Sequence, residues 1–136
     1  MTNPNPKQIH GDKKPPLLQF PLTAQIEASL AHFDGDLKYN FRNWRADPVE
    51  ALTYINAAMR HLRLYEEGED RTRDTNVHNL GAVIACCAIL IDAATYGTLI
   101  DNRNPNPAAC DLLHESEIII QSLKELRKNA ASQLPN

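Results

Sequence analysis

The run "GAVIACCAILI" (residues 81–91) decides the fold. It lies in a helical stretch from about Asn76 to Tyr96 and is apolar on nearly every side. A helix at a protein surface shows one apolar stripe, whereas a helix that is apolar all round is enclosed by others. The run therefore predicts the central helix of a bundle. It is too short to span a bilayer, which takes ~20 residues. Cys86 and Cys87 within it read as buried thiols, and three cysteines in all make no disulfide framework.

Upstream, "DPVE" (47–50) reads as a helix start, with Asp47 as N-cap, Pro48 in the first turn and Glu50 closing a capping box. That helix runs to about Glu67, buries Leu52, Ile55, Met59 and Leu62, and stops at Gly68. Before it, residues 24–38 carry Ile26, Leu30, Phe33 and Leu37 at helical spacing. "KYNFRNWRADP" (38–48) is an irregular connector rich in aromatic and amide side chains. Downstream, "GTLIDNRNPNP" (97–107) breaks the chain. Asn106 and Pro107 then open a last helix whose Leu112, Leu113, Ile119, Ile120, Leu123 and Leu126 face inward. No segment alternates with period two, so the fold class is all-α, with four main helices and no repeats. Pro4, Pro6, Pro15 and Pro16 make residues 1–20 a flexible or extended segment. Residues 21–136 form one domain.

Size and charge narrow the function. A chain of 136 residues with 43% hydrophobic and 23% charged residues is an ordinary globular domain. Its net charge of −3 provides no basic field, so neither nucleic acid nor an anionic membrane is expected as a partner. The polar, proline-rich start lacks the pattern of a signal peptide, and a reducing, cytoplasmic setting is expected. The broad apolar face of the last helix calls for a homo-oligomer.

Chemistry concentrates in "YEEGED" (65–70), where Glu66, Glu67, Glu69 and Asp70 crowd a helix C-terminus. Carboxylates there face the negative end of the helix dipole, at a cost of about 0.3–1 kcal/mol each when exposed. Glu66 and Glu69, or Glu67 and Asp70, are three apart and share a face, so either pair can converge on a hard cation. The alternative is a solvated helix end neutralised by Arg63, Arg71 and Arg73. Asp74, in the link that follows, can fold back on the same corner. Asp92 cannot, because in an antiparallel helix hairpin it lies roughly 25 Å from the link at ~1.5 Å per residue. His61 reads either as a satisfied, half-buried histidine or as a site residue. Arg60 either pairs with the acids or reaches a phosphate. His78 reads as a surface residue at a helix start. No Walker loop, GxGxxG, CxxC or serine nucleophile motif is present.

Taken together, Lys38-Tyr39, Asn43-Trp44, Arg60-His61 and Gly68-Glu69-Asp70 resemble, in order and spacing, the phage dATP/dGTP diphosphohydrolases. These are relatives of the MazG-like all-α pyrophosphohydrolases, and the nearest likeness is to the MazZ type. The likeness covers roughly residues 24 to 96. The chain departs from the family at Thr72, where a second acid is usual, and at Asn79 and Ala82, where histidines are usual.

The resemblance implies a four-helix MazG-like bundle completed by oligomerisation into a dimer or tetramer. It implies hydrolysis of purine deoxynucleoside triphosphates (dGTP, dATP) to the monophosphate and pyrophosphate, with two or three Mg²⁺ or Mn²⁺ ions. Glu66, Glu69 and Asp70 would be catalytic. The ions would be held by these with Glu67 and Asp74, and one uncoordinated carboxylate would act as base. Lys38, Tyr39, Asn43, Trp44, Arg60 and His61 would bind substrate, and Glu27 would face the site. Trp44 alternatively caps the core. The product dGMP would supply 2-aminoadenine nucleotide synthesis in a phage, in the host cytoplasm. The competing readings are a non-enzymatic helical adaptor that binds through the last helix, and a pyrophosphohydrolase of another nucleotide.

Overall fold

The computed structural model describes residue 3 and residues 5–133. Its helices are α1 (Pro6–Gly11), α2 (Leu22–Tyr39), α3 (Ala51–Glu66), α4 (Asn79–Tyr96) and α5 (Pro107–Ser132). Single 3-10 turns occur at Leu17–Gln19 and Asn43–Arg45, and two short strands, β1 (Val49–Glu50) and β2 (Leu99–Ile100), pair in parallel. The fold is all-α, as the periodicity predicts. The chain divides into two units, one ending at Asn102 and one beginning at Arg103.

In the first unit α4 packs against both α2 and α3, the central place its apolar run predicts. Helix α4 also has the length and composition to cross a bilayer (18 residues, mean hydropathy 1.7), yet here it lies between two other helices. Contact between α2 and α4 is made by small residues, with Ala28, Gly81 and Ala85 all buried. A Cβ on Gly81 would lie 2.5 Å from the Glu27 carbonyl oxygen, so glycine is what lets the two backbones approach. The two helices run in the same direction: Gly81 meets Glu27 near their starts, and Asp36 and Thr95 border one cavity near their ends. At the far pole Trp44, Val49 and Ala93 form a compact core with Tyr54, Ile89 and Leu99 packed on it.

Several expectations fail for tertiary reasons. "DPVE" does not build a capping box. Val49 and Glu50 are drawn into register with Leu99 and Ile100, and α3 begins only at Ala51. Its cap comes instead from Asn102, whose Oδ1 accepts from the Leu52 N–H at 2.9 Å. Helix α4 begins at Asn79, not near Asn76, because Asn76 takes a left-handed conformation (φ 61) in the preceding loop. On α3, Leu52, Met59 and Leu62 are exposed, and the packed face runs through Ala51, Tyr54, Ile55, Ala58 and His61. Cys87 is exposed, and Cys86 is half-buried. Part of the expected flexible segment is helical, as α1, with the Asn5 side chain capping it at the Lys7 N–H (2.8 Å). Residues 1, 2 and 4 of that segment lie outside the described residues.

The second unit consists of α5, opened by Pro107. None of its residues is buried, and the side chains expected to face inward, among them Leu113 and Ile119, are exposed.

Candidate functional site

Helix α3 ends as its sequence predicts. Gly68 turns at φ 100, and the Gly68 and Glu69 N–H groups cap carbonyls of Tyr65 and Leu64 at 3.0 and 2.9 Å. The link that follows folds back on itself: Arg71 and His78 form an antiparallel bridge, the Thr72 N–H donates to Val77 O (2.8 Å), and Thr72 and Thr75 share a hydroxyl hydrogen bond. Asn79, the first residue of α4, fastens this loop. It is fully buried. Its backbone N–H donates to Asp70 O (2.8 Å), its Nδ2 donates to Glu69 O (2.8 Å), and its Oδ1 lies 2.8 Å from His61 Nδ1 on α3.

The acids of residues 66–70 diverge. Glu66 pairs with Arg63 on its own helix and Glu67 lies 4.0 Å from the same guanidinium, both well exposed. Glu69 pairs with Arg73, and its side chain is only 25% exposed. Among the described residues no three His, Cys, Asp or Glu side chains gather closely enough to hold a metal ion.

What faces the link instead is one side of α2. Glu27 Oε1 accepts from Arg71 Nη2 at 3.2 Å, while its Oε2 is buried with no hydrogen-bond partner. Lys38 Nζ donates to Asp34 at 2.9 Å; that bond, with Asp74 nearby, holds the ammonium above its ordinary pKa. Glu27, Asp34 and Lys38 fall within about 40° of one another around α2 at 3.6 residues per turn. Farther along this side, burial pushes the Tyr54 phenol up, with Cys86 and Tyr39 adding. Burial also pushes the Cys86 thiol up, against a smaller opposing effect of Arg60.

The structure thus brings Lys38 and Asp74 within electrostatic range of each other, and links His61 to Glu69 and Asp70 through Asn79. Arg60 sits beside Arg63 and Glu67 along a groove on α3.

Asn43 and Trp44 belong to the opposite pole. Trp44 is buried in the core there, its Nε1 donating to Asp92 Oδ2 at 2.7 Å, while Arg45 grips both oxygens of Asp92 at 2.7 and 2.8 Å. These bonds hold the Asp92 carboxyl well below the usual carboxylate range. The Trp44 ring faces His32 across 5.6 Å, and both line a cavity of about 890 Å³ with Phe33, Phe41 and Arg42. Burial lowers the His32 pKa against the raising effect of Asp36. Ser29, His32 and Asp36 project from α2 roughly opposite to Glu27 and Lys38 at ~100° per residue. The Trp44 cavity and the link corner therefore open on different sides of that helix. Asn43 borders a separate hollow with Asp47, Glu50 and Tyr54.

Two residues of the link corner, and one ion pair at the opposite pole, carry no strong sequence signal. Arg71 is one of several link arginines, and nothing local pairs it with Glu27. Asn79 shows as a polar residue heading an apolar helix and as a departure from the family's usual histidine, and neither mark announces its contacts with His61, Glu69 and Asp70. The Asp92–Arg45 pair joins positions 47 apart in the chain.

In class, this is an all-α domain with one polar corner where carboxylates of α2 and of the α3–α4 link meet arginine and lysine side chains. The model of the dATP/dGTP diphosphohydrolase N-terminal family matches residues 4–103, and the chain belongs to that family. The matched region ends at the boundary between the two units, leaving α5 outside it. No curated protein and no solved structure matches the chain.

Proposed function

We propose that the chain hydrolyses purine deoxynucleoside triphosphates, dGTP and dATP, to the monophosphate and pyrophosphate at the link corner, assisted by Mg²⁺ or Mn²⁺. Family membership supports the reaction class. The observation that carries the site is the Glu27 carboxylate, whose Oε2 is buried and unpartnered beside the link. A buried carboxylate oxygen without a donor costs about 1–3 kcal/mol or more of lost hydration unless a cation or water meets it. That makes Glu27 the candidate cation ligand. Glu69, Asp70 and Asp74 would have to turn toward it to join, since among the described residues no three acidic, histidine or cysteine side chains gather closely enough to hold an ion. Glu66 and Glu67, engaged by Arg63 on the exposed face of α3, take a lesser part. A divalent ion held there would screen the triphosphate and lower the pKa of an attacking water.

The remaining roles fall to the chain's own side chains. Arg71, paired with Glu27, and Lys38, within electrostatic range of Asp74, are cationic and suited to oxygen atoms of the phosphate chain. Tyr39, exposed and next to Lys38 at the end of α2, is the aromatic side chain nearest in sequence to that ammonium. Trp44, with its Nε1 committed to Asp92, acts as a core residue for this site rather than as its base-stacking platform. Provision of dGMP for 2-aminoadenine nucleotides in a phage-infected cell rests on the family resemblance. A homo-oligomer would cover the exposed apolar side chains of α5.

The test is pyrophosphate release from dGTP and dATP with Mg²⁺ or Mn²⁺, abolished by EDTA. Glu69→Gln is expected to lose turnover while keeping the fold, since it removes charge without shortening the side chain. Full turnover in that variant overturns the site, and absence of release from every nucleotide triphosphate overturns the function. The second outcome favours a helical adaptor, for which the exposed α5 face is the supporting observation.

A further inference from the structure

Asn79 fixes more than the loop. Its Nδ2 lies 2.8 Å from the Glu69 carbonyl oxygen, a pure acceptor, so the amide nitrogen must be on that side and Oδ1 must face His61. An oxygen 2.8 Å from His61 Nδ1 needs a donor there, so Nδ1 carries the hydrogen. Neutral His61 is thereby held as the Nδ1–H tautomer, leaving a lone pair on Nε2. This is opposite to the form that free histidine favours. His78, one residue before Asn79, is fixed the other way: its Nδ1 accepts from the Leu80 N–H at 3.0 Å, so its hydrogen sits on Nε2. Two histidines near the start of α4, one on α3 and one at the α4 N-cap, are set in opposite tautomers by neighbouring hydrogen bonds.

We infer that Asn79 is a positioning residue that presents His61 Nε2 as the proton acceptor of the hydrolysis, an inference that rests on the function proposed above. Three anchors keep the arrangement rigid. Asn79 is buried with every polar side-chain atom engaged, and its amide ties the residue to Asp70, so His61, the link and α4 cannot shift independently. In the reaction, the oxygen of water bonds to the α-phosphorus as its proton passes to Nε2. The bond from the α-phosphorus to the bridging oxygen breaks, and that oxygen leaves with pyrophosphate. His61 then returns the proton to solvent. The imidazole thus does the work otherwise left to an uncoordinated carboxylate, and here Glu66, Glu67 and Glu69 are all paired with arginines.

Long-range ¹H–¹⁵N correlation spectra of the full chain, recorded at mildly alkaline pH, read the tautomers directly and need no variant. His61 is expected to show a protonated Nδ1 and a pyridine-like Nε2, with His78 showing the reverse. His61 carrying its hydrogen on Nε2 overturns the inference even if the enzyme is active. His61→Gln is expected to lower kcat by about a hundred- to ten-thousand-fold with KM little changed, and an unchanged kcat overturns the proton-acceptor role. A wild-type protein that releases no pyrophosphate removes the hydrolase reading and the proton transfer together, whereas the spectrum still decides the tautomer.

Discussion

Gly81→Ala is the sharpest test of how α2 and α4 meet. The added Cβ would lie 2.5 Å from the Glu27 oxygen, 2.7 Å from its carbonyl carbon and 3.1 Å from its Cβ. Two of these are backbone atoms, so no rotamer change relieves the contact and the helices must separate. Overpacking of this kind costs about 3 kcal/mol at the severe end of its usual range. Replacing glycine by alanine within a helix returns about 1 kcal/mol. The net loss is then about 2 kcal/mol, or a fall of roughly 8 °C in Tm for a domain of this size. Gly35→Ala, in the same packed pair but with open space at its Cβ position, should instead gain up to about 1 kcal/mol. Thermal and urea unfolding of both variants beside the parent chain measures the contrast. A Gly81→Ala protein as stable as the parent would refute the close approach. Because the displaced backbone is that of Glu27, nucleotide turnover should fall in Gly81→Ala and hold in Gly35→Ala.

Asp92→Asn removes the charge that Arg45 and Trp44 hold in its ionised form. A depressed carboxylate pKa stabilises the fold above the unfolded value near 3.9 and loses that contribution as pH falls through the folded value. The stability gap between parent and variant should therefore be widest at neutral pH and shrink in strong acid, and urea midpoints across that range would expose a constant gap as a contradiction. Gly97→Ala, at the left-handed C-cap of α4 (φ 101) with nothing near its Cβ position, should lose about 1–2 kcal/mol from backbone strain alone. Gly97→Asn should recover part of it in the same unfolding assay.

Much of this architecture is legible along the chain, because local chemistry decides it. The run at 81–91 has no polar side to give to solvent, and it becomes the helix packed against both α2 and α3. Gly68 and Gly97 end their helices where a positive φ is required. What is not legible depends on partners far away in sequence. "DPVE" has every local mark of a helix start, yet pairing of Val49 with Leu99 keeps it extended. The acid cluster carries the same ambiguity. Spacing puts Glu66 and Glu69 on one face, but whether they converge depends on Arg63 and Arg73, and each arginine draws its own carboxylate away. The family resemblance points to Glu27, but its unmet oxygen and its pairing with Arg71 of the link join a different helix and leave no mark in the local sequence. In α5, apolar periodicity predicts a buried face, but periodicity does not say which surface does the burying, and its own unit provides none.

The cap on α3 has a consequence for the order of assembly. The first turn of that helix is completed by Asn102, fifty positions downstream, which also donates to Glu50 at 3.3 Å. On a ribosome, the N-terminal end of α3 would leave the exit tunnel well before its acceptor has been synthesised. Its last turn is closed locally by Gly68, while its first turn gains its side-chain acceptor only once the segment after α4 is present. That pole takes its side-chain contacts from the last segment of the first unit, whereas the contacts at Asn79 need only residues up to the start of α4.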